Sequence, residues 1–379
     1  MSALDLGVRA RAIVAVPIAD ADDTAASSSF FVPTNSLRDG NHLKLISLSS
    51  ETRALSVVRS LPLEHRAAED IDVDASGTLV VVTYEDAGRE TRRARGASVS
   101  TVGGELDGTT TDLRVSDDED ATSIREFETV KCARYNRVTG SLATVDEFRV
   151  REWRRRDDGE LASVSTCQTR TDSTRSDIIG GMNTTQDGVS GGSWDPHGAE
   201  SFACGVDADV AVFDPRSGKR AQTIQKAHAQ QTRDVRHNPN KPHEMMSCGD
   251  DGLLKYWDAR AHERALKIVA GHEHWIWKCA YNPVYDALAL TASSDGTVRV
   301  WCDDDALPSD SRPAHAHGSR RDIPRPARAV SRKVITAGST SVRACTWSSA
   351  DPWTYAAVAA DGIVSIGDVP REEKYRILL

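Results

Sequence analysis

Two stretches of this chain repeat one another at a fixed distance. Gly249-Asp250-Asp251-Gly252-Leu253-Leu254-Lys255-Tyr256-Trp257 is answered by Ser293-Ser294-Asp295-Gly296-Thr297-Val298-Arg299-Val300-Trp301, with 44 residues from Trp257 to Trp301 and 44 again from Phe213 to Trp257. A histidine stands 29 residues before each tryptophan, His228 before Trp257 and His272 before Trp301. A period of about 40–45 residues that opens on His and closes on Trp-Asp or its equivalent is the length of one four-stranded propeller blade. Such a unit cannot bury its apolar faces alone, so the period dictates a ring of stacked blades rather than one compact core.

Seven blades use nearly all of the 379 residues. The expected fold is therefore all-β: a seven-bladed WD-repeat β-propeller, a single domain over 1–379. Short β-branched or alternating runs recur at Leu43–Leu48, Leu79–Thr83, Thr129–Ala133, Ser141–Val145, Asp209–Phe213, Leu253–Trp257, Trp275–Ala280, Thr297–Trp301, Ser341–Trp347 and Gly362–Ile366. Blade ends are placed near Leu48, Val115, Trp153, Phe213, Trp257, Trp301 and Ile366. Residues 86–125, 154–190 and 302–333 are too poor in large apolar side chains to offset the entropy of ordering, and are expected to be mobile, disordered insertions. The second blade is the least defined, because its outer strands must lie across the 86–110 stretch. The ring is expected to close where a C-terminal strand, about residues 371–378, supplies an outer edge near Leu43–Leu48.

Net charge is −9, which argues against a general polyanion binder. Seven cysteines form no Cys-x-x-Cys pair, and Cys132, Cys204, Cys248, Cys279 and Cys345 fall inside strand-like runs, as small buried hydrophobes of a reducing compartment do. No basic-then-apolar leader and no apolar run of 18 residues is present, so neither a secretory signal nor a membrane span is expected.

Within a blade, the repeated residue types suit a buried hydrogen-bond chain from carboxylate to imidazole to hydroxyl to indole, which leaves no orphan donor. His228, Asp251 and Trp257 form one such set and His272, Asp295 and Trp301 the other, with Ser247 and Thr291 or Ser293 as hydroxyls. Asp207 with Phe213 and Asp361 with Gly367 stand at the equivalent steps. The same stretch, with Asp234, His237, Asp250 and His274, holds raw material for a hydrolytic or metal site, but a spacing that repeats fits structure better than a catalytic centre, which is needed once. His315 and His317 lack a third ligand and read as solvated loop. P-loop and Gly-x-Gly-x-x-Gly patterns are absent, and no nucleophile elbow is read from the sequence. No catalytic residue, cofactor or metal is assigned. Trp275 and Trp277 stand two apart at the start of a blade, where one ring would suffice for packing. They read either as inter-blade packing or as a partner anchor beside the central channel, flanked by Lys278. Trp194 and His197 are candidates for the same role on a neighbouring blade.

Three pieces of sequence then resemble the eukaryotic proteins that interact with the EARP and GARP tethering complexes. They are Thr223–Arg260, His274–Val298, and the ending that runs from Trp347-Ser348-Ser349-Ala350-Asp351-Pro352-Trp353 to Val369-Pro370-Arg371-Glu372-Glu373-Lys374-Tyr375-Arg376-Ile377-Leu378-Leu379. The likeness spans about 190–301 and 341–379, and thins over 49–125. Residues 308–333, with seven Arg or Lys against two Asp, replace an acidic loop of the family. The resemblance implies a non-enzymatic scaffold, a monomer within a hetero-complex, binding a multisubunit tether in endosomal recycling and endosome-to-Golgi retrograde traffic. It implies a cytoplasmic location peripheral to endosomes and the trans-Golgi network, with membrane contact only through partners, no small-molecule substrate and no nucleic acid. Two other roles use the same fold: a ubiquitin-ligase adaptor or scaffold of another complex, and a chromatin or nucleic-acid binding module, the latter opposed by the net charge.

Overall fold

The computed structural model describes residues 2–18, 27–36, 40–63, 66–86, 94–101, 110–112, 130–146, 149–157, 161–169, 188–198, 201–260, 263–302, 330–336 and 340–379. Among these, the strands gather into seven antiparallel sheets of four strands, the first with its innermost strand split in two. The chain is an all-β WD-repeat propeller, and the seven sheets are consistent with the seven blades expected. From the inside outward, the fifth blade runs Thr232–His237, Glu244–Gly249, Leu253–Asp258 and Lys267–Ala270. The sixth runs Ile276–Tyr281, Leu288–Ser293, Thr297–Cys302 and Val330–Thr336.

Apolar side chains are distributed as the period demands. Seven buried clusters form among the described residues, and each draws on two adjacent blades. One joins Cys248, Leu254 and Val269 of the fifth to Ile276, Cys279 and Trp301 of the sixth. Another joins Leu290 and Val300 of the sixth to Trp347 and Tyr355 of the seventh. The last seam joins Val358, Val364 and Ile366 of the seventh to Phe30, Val32 and Ile46 of the first. The hydrophobic free energy thus resides in the seams, at about 25 cal/mol per Å² of apolar area removed from water, and each blade is held by both neighbours. All seven cysteines are free and buried.

Closure differs from the expectation. Arg371–Leu378 forms a helix, and the outer edge of the seventh blade is the N-terminal strand Ser2–Asp5, paired antiparallel with Ile363–Asp368. The physical reason is local: Pro370 ends the preceding extended run, Glu372 and Glu373 sit in the first turn and Arg376 in the last, the polarity a helix dipole favours. Ile377 packs on the seam between the sixth and seventh blades. Arg53 of the first blade reaches the Asp368 carboxylate at 2.5 Å and ties the seam between the seventh and first blades.

The insertions are also smaller than expected. Leu161–Gln168 within 154–190 is the outer strand of the third blade, and Val330–Thr336 overlaps the end of 302–333 as the outer strand of the sixth. The second blade has four strands, its outer pair being Ala94–Thr101 and Thr110–Asp112, so its third strand ends near 101 and not near Val115. These outer strands escaped notice because an edge strand contributes little to a seam. Leu161–Gln168 is half-buried or exposed along its length, with only Cys167 enclosed. Residues 87–93, 102–109, 113–129, 170–187 and 303–329, with His315 and His317, lie outside the described residues.

Candidate functional site

The two repeated sets are assembled as complete chains. Trp301 Nε1–H donates to Thr291 Oγ1 at 2.8 Å, Thr291 lies 2.7 Å from His272 Nε2, and His272 Nδ1 lies 2.7 Å from Asp295 Oδ2. In the fifth blade Trp257 Nε1–H donates to Ser247 Oγ at 2.8 Å, Ser247 meets His228 Nε2 at 2.7 Å, and His228 Nδ1 meets Asp251 Oδ1 at 2.8 Å. Gly252 and Gly296 follow the two aspartates with φ of 71° and 80°, the left-handed conformation that each turn needs and that glycine adopts without a Cβ clash. Burial tends to raise the Asp295 carboxyl, yet hydrogen bonds from Thr297 and His272 hold it down to about 2. Burial pushes His272 below its ordinary range, with Asp295 offsetting only part of that. A neutral imidazole that donates from Nδ1 and accepts at Nε2 satisfies every atom in the chain. Its one ring proton is committed to Asp295 and its lone pair to Thr291, so the arrangement cements a blade and leaves neither nitrogen free.

A third, partial set was not singled out from the sequence. Trp153 Nε1–H donates to Thr144 Oγ1 at 2.8 Å in the third blade, and Arg151 pairs with Asp146 at 2.6 Å. In the fourth blade Phe213 has no N–H to give, and the seventh has Gly367 in that place.

The chemistry that faces outward lies at one mouth of the central channel. A cavity of about 360 Å³ is lined from the N-terminal ends of six innermost strands, by Asp70, Lys131, Gly191, Arg233, Lys278 and Arg343 among others, and by Arg11 from the first blade. Its lining includes five basic side chains, Arg11, Lys131, Arg233, Lys278 and Arg343, against the acidic Glu69 and Asp70. Below it the channel is filled by buried ion pairs. Arg134 lies 2.6 Å from Asp70, Arg236 lies 3.0 Å from Asp234, and Lys278 reaches both carboxylates, at 3.4 and 3.9 Å. Burial works to raise the Asp70 carboxyl, but Arg134 and Lys278 prevail and hold it near 2. Buried charges persist only when paired in this way. A side chain at Gly191 would occupy the space of the Asp234 carboxylate, so that glycine admits the pair.

Trp275 and Trp277 stand at this mouth with their rings edge to face, 5.7 Å between centroids. Trp275 is 39% exposed; Trp277 is half-buried and donates from Nε1 to Ser294 Oγ at 2.7 Å and Ser341 Oγ at 3.1 Å. The Arg343 guanidinium lies 3.8 Å from the Trp277 ring centre, and that of Arg233 lies 4.7 Å from it and 5.4 Å from Trp275. Lys278 points into the channel and not across the outer face. Trp194 and His197 belong elsewhere. Trp194 is buried, its Nε1–H bound to the carbonyl of Arg134 at 2.9 Å and its ring edge-on to Phe202. It ends its inner strand where Trp275 precedes the start of another, so Trp194 and His197 lie at the opposite end of the channel and do not share the face of Trp275.

Sequence reading missed the guanidinium cluster because Arg11, Arg233 and Arg343 come from three blades far apart in the chain. A faint signal was present: charged residues alternate along otherwise apolar inner strands, as in Asp70 with Asp72 and Asp234 with Arg236.

Comparison with known proteins locates the likeness. Residues 149–301 match the family model described as the EIPR1 beta-propeller, a stretch that contains both complete hydrogen-bond chains. The chain is 50% identical over 38 residues to EARP-interacting protein 1 of Caenorhabditis elegans, and 56% identical over 39 residues to EARP-interacting protein homolog of Danio rerio. Each stretch covers 10% of this chain and 10% of the relative, so the match spans about a tenth of the length of these curated relatives. The WD40 beta propeller domain of Doa1 superposes with a TM-score of 0.62 at 15% identity over 96% of this chain and 94% of that one, a likeness of fold alone. The resemblance drawn from the sequence over about 190–301 lies within this match.

Proposed function

We propose that this chain is a non-enzymatic interaction scaffold whose partner is a multisubunit vesicle tether of the EARP or GARP type, in endosomal recycling and endosome-to-Golgi retrograde traffic. The observation that carries the reading is the family match over 149–301, together with short, half-identical stretches shared with two relatives named for binding EARP. The geometry supports the class of activity. His228, Asp251, His272 and Asp295 are consumed in blade-building hydrogen bonds, while Trp275 is left exposed at a channel mouth where a partner has access. On this reading the chain acts as one copy in the cytoplasm, meets endosomal and trans-Golgi membranes only through the tether, and needs no cofactor, small molecule or nucleic acid.

Affinity capture of the intact protein from its own cells tests this. Recovery of the core subunits of a tethering complex is the expected result. Recovery of ubiquitin-ligase adaptors or histones in their place would overturn it.

A further inference from the structure

The mouth that carries Trp275 holds a charge that no carboxylate among the described residues answers. Arg233 is held by Asp250 through two contacts, at 2.6 and 2.7 Å, and Arg11 by Glu69. Lys278 is held by Asp70. Arg343 has no carboxylate within ion-pair distance among the described residues. It is half-buried, its guanidinium sits 3.8 Å from the Trp277 ring centre, and it shares the cavity lining with Arg11 and Arg233. Burial first, and then the like charges of Arg11 and Arg233, bring its guanidinium down to about 10, with Glu69 opposing only in part. With Arg11 and Arg233 answered by their own carboxylates, Arg343 is the guanidinium of this cavity that an entering anion would pair.

We propose that this cavity is a docking site for a short acidic peptide segment of a protein partner, with a glutamate or aspartate side chain placed against Arg343 and flanking apolar groups against Trp275 and Trp277. A carboxylate matches the planar donor fork of a guanidinium, and the exposed Trp275 ring and half-buried Val130 offer apolar surface beside it. A protein segment fits better than an anionic membrane. The chain carries −9 overall, and the mouth itself has Glu69, Asp70 and Asp250 close by. A broad negative surface would meet these charges, whereas one side chain entering the cavity is within a Debye length of the guanidiniums, about 8 Å at physiological salt. The inference rests on the scaffold reading above, but not on the identity of the tether.

The test uses the full chain and a fluorescent peptide of alternating glutamate and leucine, with a glutamine-for-glutamate peptide as control, read by anisotropy. Binding of the glutamate peptide is expected, weakening as salt is raised, and Arg343→Gln is expected to lose about tenfold or more in affinity. Arg11→Gln is the second variant, since Arg11 lies outside the stack on Trp277; it should lose affinity as well if Arg343→Gln fails to fold. Equal binding of the two peptides, or full retention by a folded Arg343→Gln protein, would overturn the proposal. So would complete displacement by inorganic phosphate, or sedimentation with phosphatidylserine vesicles without peptide binding. Capture of the tether without added peptide is scored separately: peptide binding without recovery of any tether defeats the partner assignment and leaves the acidic-peptide site standing.

Discussion

Ser2 lies directly opposite Ile366 in the seventh blade, so the N-terminal strand is the outer edge that seals the ring. Leu4 and Leu6 go with it into the seam between the seventh and first blades, where Val364 and Phe30 are buried. Removing residues 1–6 should therefore cost about 3–5 kcal/mol, since burying one leucine contributes about 1.5–3 kcal/mol. It should also promote aggregation through the bared edge of Ile363–Asp368. Removing Leu378 and Leu379, which are 60% and 85% exposed, should leave the denaturation midpoint unchanged. Urea melts of the two truncated proteins decide between closure at the N-terminal strand and closure by the C-terminal segment.

The indole-to-carboxylate chains make a second prediction. Trp301→Ala should destabilise by about 3–5 kcal/mol through lost packing in the seam between the fifth and sixth blades. Thr291→Val keeps the shape but orphans both the Trp301 N–H and the His272 Nε2, at a cost of about 1–3 kcal/mol. If Thr291→Val melts with the parent protein, the hydroxyl is not a link in the chain.

These two blades were legible because every link is local: histidine, hydroxyl, aspartate and tryptophan recur at one spacing within a single period. The closing strand was misplaced because Val369–Leu379 was read for its position at the end of the ring, while Pro370 and the glutamates after it specify a helix. Trp194 was assigned to the wrong face because strand direction was not carried from one blade to the next. Arg343 could not have been found at all, since its meaning depends on Arg11, Arg233 and Trp277, and only the closed ring brings these together.

A third prediction concerns acid. His237 sits against Ser193 at 2.9 Å, and its burial pushes the imidazole down to about 4; His272 is shifted in the same direction. An unfolded imidazole titrates near about 6.5. Below that value the unfolded chain takes up protons that the folded chain refuses, so stability is intact above about pH 6.5 and falls as pH drops toward 4. The slope should approach about 1.4 kcal/mol per pH unit for each such group. Asp295, held near 2, adds a loss only below the ordinary carboxylate range of about 3.9. Denaturant melts from pH 7 to pH 4 should show the decline, and His237→Gln should flatten it; an identical slope in the variant would remove His237 from the account.

Trp275 and Trp277, adjacent in space, should answer differently to truncation. Trp277 is braced by Arg343, Arg233, Ser294 and Ser341, so Trp277→Ala should lower the melting midpoint as well as any binding at the mouth. Trp275 is exposed and makes ring contacts only with His274, Trp277 and Arg233 among the described residues. Trp275→Ala should leave the midpoint nearly unchanged and weaken tether binding by about 2 kcal/mol or more, as truncation of an interface tryptophan commonly does. Calorimetric titration of the folded variant against the purified tether measures this directly. Full affinity with Trp275 removed would mean that the partner does not rest on this mouth, and would move the search to the opposite end of the channel, where His197 is exposed in the turn that follows Trp194.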